Sequence, residues 1–180
     1  MRKKEKKGLP YLLTPEYMFE HYYDVTPEFL NQIGVRALLI DIDNTLAPYE
    51  QDTPDERILD WFDGLSKNGI KSALISNNHP DRVNLFNESL RLPAYADSGK
   101  PGGKYLIEAM KTMGVEPTET AGLGDQLLTD TLAVHRLGMV SIIVPPIKDK
   151  TSLFFKSKRL IEKPFIKRYK KLHKKDEESL

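Results

Sequence analysis

From residue 35 onward, apolar residues fall into two alternating patterns. Val35–Ile40 is a continuous apolar run ending in aspartate, which predicts a parallel strand buried on both faces. Over 54–67, Ile58, Trp61, Phe62 and Leu65 recur at helical spacing until Asn68-Gly69 stops the pattern. The alternation continues with a strand over 71–76, a helix over 80–90, a short strand over 95–97 and a helix over 103–113. A strand over 120–123, a helix over 128–137 and a strand over 139–144 complete it. About five strands joined by helices imply an α/β fold, a doubly wound parallel sheet covered on both sides. Two short helices are expected ahead of it, near Thr14-Pro15 and Thr26-Pro27, each with a hydroxyl cap followed by proline. Past Pro146, Phe154, Ile161, Phe165, Tyr169 and Leu172 keep helical spacing among lysines, and Pro164 is expected to divide that segment into two short helices.

Composition narrows the class. A chain of 180 residues holds one domain plus its ends. The absence of cysteine excludes disulfides, zinc–thiolate sites and a thiol nucleophile, and fits a reducing cytoplasm. No apolar run approaches the roughly 20 residues that span a bilayer, and the basic start is followed by a segment too short and proline-broken for a signal peptide. The protein is therefore expected to be cytoplasmic. Its net charge of +1 conceals a segregation: residues 1–7 carry five basic and one acidic side chain, and residues 147–180 carry twelve and five. The stretch between them carries ten basic and twenty acidic. An acidic body with basic ends predicts tails at 1–8 and 166–180 around a domain over 9–165, with the tails either solvated or facing an anionic partner.

Ligands of such sheets bind at the carboxyl ends of the strands, and the polar residues collect there. Asp41 and Asp43 follow the first central strand and, two apart in extended chain, face the same way. Two such carboxylates repel unless a cation lies between them or one is protonated. Either condition serves phosphoryl transfer, with one acid attacking phosphorus and the other supplying a proton. Ser76 ends the next strand, where a hydroxyl beside turning amides can hold phosphate oxygens, or simply cap a helix. Ser98-Gly-Lys-Pro-Gly-Gly-Lys104 lacks P-loop spacing but offers two lysines, Lys100 and Lys104, to neutralise charge. Asp125 follows another strand and Asp130 begins a helix, giving hard oxygen ligands suited to magnesium. The four histidines, His79 near the site among them, have no metal-ligand spacing and read as capping or surface residues.

The order Asp-x-Asp-x-Thr, Ser, Lys, Gly-Asp-x-x-x-x-Asp resembles that of the haloacid dehalogenase (HAD) superfamily. Asp41-Ile-Asp-Asn-Thr-Leu-Ala-Pro-Tyr49, Ile75-Ser-Asn-Asn78, Lys100-Pro101 and Gly124-Asp-Gln-Leu-Leu-Thr-Asp130 resemble the bacterial YqeG family of subclass IIIA phosphatases. That family is similar to the mitochondrial phosphatidylglycerophosphate phosphatases, which make phosphatidylglycerol for cardiolipin synthesis. The resemblance covers about residues 9–165 and implies a Rossmann-like, HAD-like fold and an aspartyl-phosphate mechanism with Mg2+. It implies Asp41 as nucleophile and Asp43 as general acid/base, with Ser76 holding the phosphoryl group and Lys100 steadying its charge. Asp41, Asp43 (through its carbonyl), Asp125 and Asp130 would form the metal site, and Thr45 and Asn77 would contact substrate. Gly102-Gly103 departs from the pattern and leaves the lysine's placement to be determined.

Thirty residues separate Thr45 from Ser76 and twenty-three separate Ser76 from Lys100, each interval already filled by one strand–helix unit. No large cap domain fits, so the expected site is open, with a short flap over 46–53. That suits a phosphate on something large, such as a lipid head group met through basic tails at an anionic membrane; nucleic acid is disfavoured by sparse aromatics. Phosphatases of nucleotides, nucleic-acid ends or phosphoproteins are the alternative, and a non-catalytic partner-binding or RNA-associated module is the other.

Overall fold

The computed structural model describes residues 8–148 and a helix over 153–177; residues 1–7 of the expected N-terminal tail lie outside the described residues. The elements in chain order are α1 (Leu9–Leu12), β1 (Tyr17–Met18), α2 (Pro27–Gln32), β2 (Ala37–Ile40), α3 (Glu56–Lys67), β3 (Lys71–Ile75) and α4 (Pro80–Asn87). Then follow β4 (Ala94–Tyr95), α5 (Lys104–Met113), β5 (Thr120–Gly124), α6 (Leu132–Arg136), β6 (Val140–Ile143) and α7 (Leu153–Glu177). The strands form one wholly parallel sheet in the order β1-β6-β5-β2-β3-β4.

Six strands stand where about five were expected, and the extra one comes from the segment read as a helix near Thr14-Pro15. Helix α1 ends earlier, and the Thr14 hydroxyl donates back to the Pro10 carbonyl at 2.6 Å instead of capping a following helix. Tyr17 and Met18 lengthen the sheet beside β6, with flanking amides of Glu16 and Phe19 donating to Ser141 and Ile143 carbonyls. The sheet edge at β6 offers unpaired acceptors that outweigh two residues of helix propensity. The Thr26 cap forms as expected, accepting the Phe29 amide at 3.2 Å.

Side-chain alternation along β2 builds both cores. Leu38 and Ile40 join Leu74, Leu123 and Ile142 under α3 and α4, where Ile58, Trp61, Phe62, Leu65, Val83 and Phe86 are buried. Ala37 and Leu39 face the other way, with Ala73 and Ile75, against Leu106, Ala109 and Met110 of α5 and Val134 of α6. A third cluster lies beyond the sheet edge: Leu13, Leu127 and Ile143 pack with Phe165 and Ile166 of α7.

Helix α7 runs without a break through Pro164 and through the boundary expected after residue 165. Glu162 on one side of the proline, and Phe165, Ile166 and Tyr169 on the other, all engage the body, so tertiary contacts hold both halves in one helix despite the missing amide. Among the described residues, no helix is long and apolar enough to cross a membrane.

Candidate active site

The chain winds from β2 outward to β3 and β4, then returns to build β5 and β6 on the other side of β2. That reversal opens a crevice between the ends of β2 and β5, where a doubly wound sheet holds its ligand. Pairing of Ile40 with Leu123 sets the next residues level, and the Asp41 amide donates to the Leu123 carbonyl at 2.9 Å. Asp41 is thereby level with Gly124, and Asp125 leaves the adjacent strand one residue further on. Both aspartates are buried, as are Asp43, Ser76 and Asp130.

Between Gln126 and α6 the chain forms a wide π-helical turn, Leu127–Thr131, where a helix over 128–137 was expected. The turn swings Asp130 back over Gly124, and the Asp130 carboxylate accepts the Gln126 amide at 3.1 Å. One oxygen each of Asp41, Asp125 and Asp130 lie within 4.8 Å of one another. Lys100 Nζ meets two of these carboxylates, 2.6 Å from Asp41 and 2.7 Å from Asp130. The Lys100–Pro101 peptide is cis.

Among the described residues, the Lys100 ammonium pairs with two of the three buried carboxylates, Asp41 and Asp130. Burial pushes the Asp41 carboxyl up to about 7, with Asp130 and Asp43 adding to the effect and Lys100 opposing it. Burial disfavours the Lys100 charge too, but Asp130 and Asp41 outweigh it and the ammonium is held protonated. Three converging hard oxygens fit a divalent cation held by Asp41, Asp125 and Asp130.

The remaining expected residues take distinct places. Asp43 accepts from Asn78 Nδ2 at 3.0 Å and has Arg82 Nη2 3.3 Å away, without hydrogen-bond alignment. Ser76 Oγ accepts the Asn78 amide at 3.0 Å. Asn77 lines the cavity but is engaged in bracing the lysine loop, accepting from Ser98 Oγ and the Lys100 amide at 2.8 Å each. Thr45 is buried, 3.4 Å from Asp41, and borders a second cavity rather than the first. Lys104 is exposed over the Tyr105 ring, away from the acids. His79 pairs with Asp97 at the surface, and buried His135 bonds to Glu16 and the Leu12 carbonyl; neither borders the acidic cavity.

Asp41, Asp43, Ser76, Asn77, Lys100 and Asp130 line a cavity of about 300 Å³ together with Tyr49, Asn78, Gln126 and Thr129. Tyr49 comes from the 46–53 flap, and burial with the nearby carboxylates of Asp43, Asp41 and Asp125 keeps its phenol protonated. All residues between Thr45 and Lys100 are described, and they contain no cap domain.

Residues 98–150 match the family described as HAD-hydrolase-like. Over 157 residues the chain is 31% identical to the Bacillus subtilis (strain 168) protein named Probable phosphatase YqeG, covering 87% of this chain and 91% of the relative. This chain belongs to the YqeG family of HAD-like phosphatases. Two solved structures share the fold of this YqeG-family phosphatase. A variant of CbbY from Rhodobacter sphaeroides, in complex with xylulose-(1,5)bisphosphate, superposes with a TM-score of 0.52 at 14% identity, over 67% of this chain and 90% of the other. An uncharacterized protein from Listeria monocytogenes serotype 4b gives 0.51 at 13%, over 66% and 85%.

Sequence reasoning missed six residues of this YqeG-family site: Tyr49, Asn78, Arg82, Gln126, Thr129 and Glu162. Tyr49, Asn78, Gln126 and Thr129 stood inside the quoted motifs, but nothing local marks which motif residues face the cavity. Arg82 and Glu162 lie on helices outside the motifs. Arg82 donates to the Asp52 carbonyl of the flap, and Glu162 accepts the amides of the turn carrying Asp130.

Proposed function

We propose that this phosphatase hydrolyses phosphomonoesters with Mg2+ through an aspartyl-phosphate on Asp41, and that its substrate is the phosphate of a lipid head group, phosphatidylglycerophosphate in the first place. The observation that carries the mechanism is Asp41 at the end of β2, held at 2.6 Å by Lys100 inside a buried acidic triad.

Asp41 attacks phosphorus with one carboxylate oxygen as the ester P–O bond breaks. Asp43 gives its proton to the leaving alkoxide, then takes one from the water that attacks the acyl phosphate, freeing inorganic phosphate and Asp41. Lys100 neutralises charge on the transferring group, and Ser76, with its oxygen already accepting the Asn78 amide, has its proton to donate to a phosphoryl oxygen. Held by Asp41, Asp125, Asp130 and the Asp43 carbonyl, magnesium would offset the anionic charge of phosphate and carboxylate.

The lipid reading is supported by the uncapped cavity and by α7. Its surface exposes Leu160, Ile161 and Leu172 beside Lys163, Lys167, Lys170 and Lys171, a mixture suited to lying on an anionic membrane from the cytoplasmic side. The test is a phosphate-release panel of phosphatidylglycerophosphate in mixed micelles, nucleotides, 5′-phosphorylated oligonucleotides and phosphopeptides. The lipid is expected to give the highest kcat/KM. Preference for a nucleotide or peptide would overturn the lipid assignment, and no magnesium-dependent release from any would overturn the mechanism.

A further inference from the structure

Glu162 is a carboxylate 1% exposed, on a helix that exposes Lys163, Lys167, Arg168, Lys170 and Lys171. Its Oε1 accepts the amides of Leu127 at 2.7 Å and Leu128 at 3.2 Å. These amides open the π-helical turn that contains Thr129 and Asp130 and begins just after Gln126, all three lining the acidic cavity. The first amides of a helical turn have no partner within it, and a negative charge there also complements the turn's dipole. Apolar contacts register the same junction: Phe165 and Ile166 lie against Leu13, Leu127 and Ile143, with Leu128 and Leu132 beside them. One helical turn beyond Phe165, the Tyr169 hydroxyl accepts the Met18 amide at 3.1 Å.

We propose that Glu162 is a positioning residue for the metal-holding turn: by fixing the Leu127 and Leu128 amides it sets where Asp130 stands relative to Asp41, Asp125 and Lys100. The role deepens the metal reading given above and rests on it. It also makes α7 part of the active-site scaffold. Truncation after Pro146 would be expected to spare soluble substrates if this segment were only a tail. With Glu162 in place as described, the same truncation removes the support of Asp130 and impairs hydrolysis of soluble and lipid substrates alike.

The experiment uses the full chain and four variants: Glu162→Ala, Glu162→Gln, Glu162→Asp and, as the control on the metal reading, Asp125→Asn. Magnesium binding is measured by calorimetry without substrate, exchange of the Leu127 and Leu128 amides by NMR, and kcat and KM with p-nitrophenyl phosphate. Loss of a support behind a metal ligand typically weakens metal binding about 10–100-fold. Glu162→Ala is expected to weaken magnesium binding at least ~10-fold and speed exchange of both amides, with KM at saturating magnesium within about threefold of the parent. Glu162→Gln keeps an acceptor oxygen and should recover most of the affinity. Glu162→Asp, one methylene short, should behave like Glu162→Ala and decides the matter if the alanine variant does not fold. Parental magnesium affinity in Glu162→Asp or Glu162→Ala, with Asp125→Asn weakened, would overturn the positioning role alone. Parental affinity in Asp125→Asn, or no magnesium binding by the parent, would overturn the metal reading beneath it.

Discussion

Gly124 closes β5 directly beneath Asp130, and the close approach makes a specific demand on residue size. A Cβ built on Gly124 would lie 2.6 Å from Asp130 Cβ and 2.5 Å from its Oδ2, where ordinary contact begins at 3.4 Å. The Asp130 Cγ would be closer still, so in Gly124→Ala the Asp130 side chain must retreat by roughly 1 Å, which takes its 2.7 Å contact with Lys100 past the limit of a hydrogen bond. Overpacking of this kind costs about 1–3 kcal/mol of stability. Displacing a metal-site carboxylate should weaken magnesium binding at least ~10-fold. Gly122→Ala is the matched control: its Cβ would collide with Val134 in the core under α6, two residues from the site. Calorimetric magnesium titration and thermal melts of both variants separate the two effects. Both should melt lower than the parent, and Gly124→Ala alone should lose magnesium affinity and phosphate release. Parental metal affinity in Gly124→Ala would refute the reasoning, because it would mean that Asp130 is free to move without consequence for the cation.

The other expectations concern the acids and the lysine. Asp41→Asn keeps the shape of the nucleophile without its charge and should lower turnover of p-nitrophenyl phosphate by at least ~10³; turnover within tenfold of the parent would show that another group attacks phosphorus. Lys100→Ala removes the ammonium bonded to both Asp41 and Asp130 and should cripple phosphate release, whereas exposed Lys104 should be replaceable by alanine with little effect; the reverse ranking would reassign the lysine. Asp41 is raised from 3.8 to about 7, so the metal-free folded state holds a proton that the unfolded chain releases, and stability falls as pH rises between those values. Magnesium binds the ionised carboxylate, so a saturating dose should raise the melting temperature more at pH 7.5 than at pH 5.5; equal shifts at both would remove Asp41 from the metal site.

Sequence by itself determined what depends on neighbours along the chain. Apolar runs and helical spacing located β2, β3, β5 and β6 and the helices between them, because periods of 2 and 3.6 are local properties of extended and helical backbone. The spacing of Asp41, Asp43, Ser76, Lys100, Asp125 and Asp130 followed the strand ends, and parallel winding delivers all strand ends to one edge. Tertiary structure decided the rest through contacts distant in sequence. Strand β1 is two residues long, too short to carry a period, and exists because β6 offers it an open edge. Lys100 was separated from Lys104 by its two carboxylate partners, and Asn77 was turned toward the loop of Lys100 by hydrogen bonds spanning more than twenty residues. The helix through Pro164 and the buried Glu162 were beyond any local pattern: a glutamate in a lysine-rich segment reads as solvated until the amides that need it, thirty-five residues earlier, are folded against it. Local patterns encode which face of an element is apolar, but the partner that each polar group meets is set only when the elements pack.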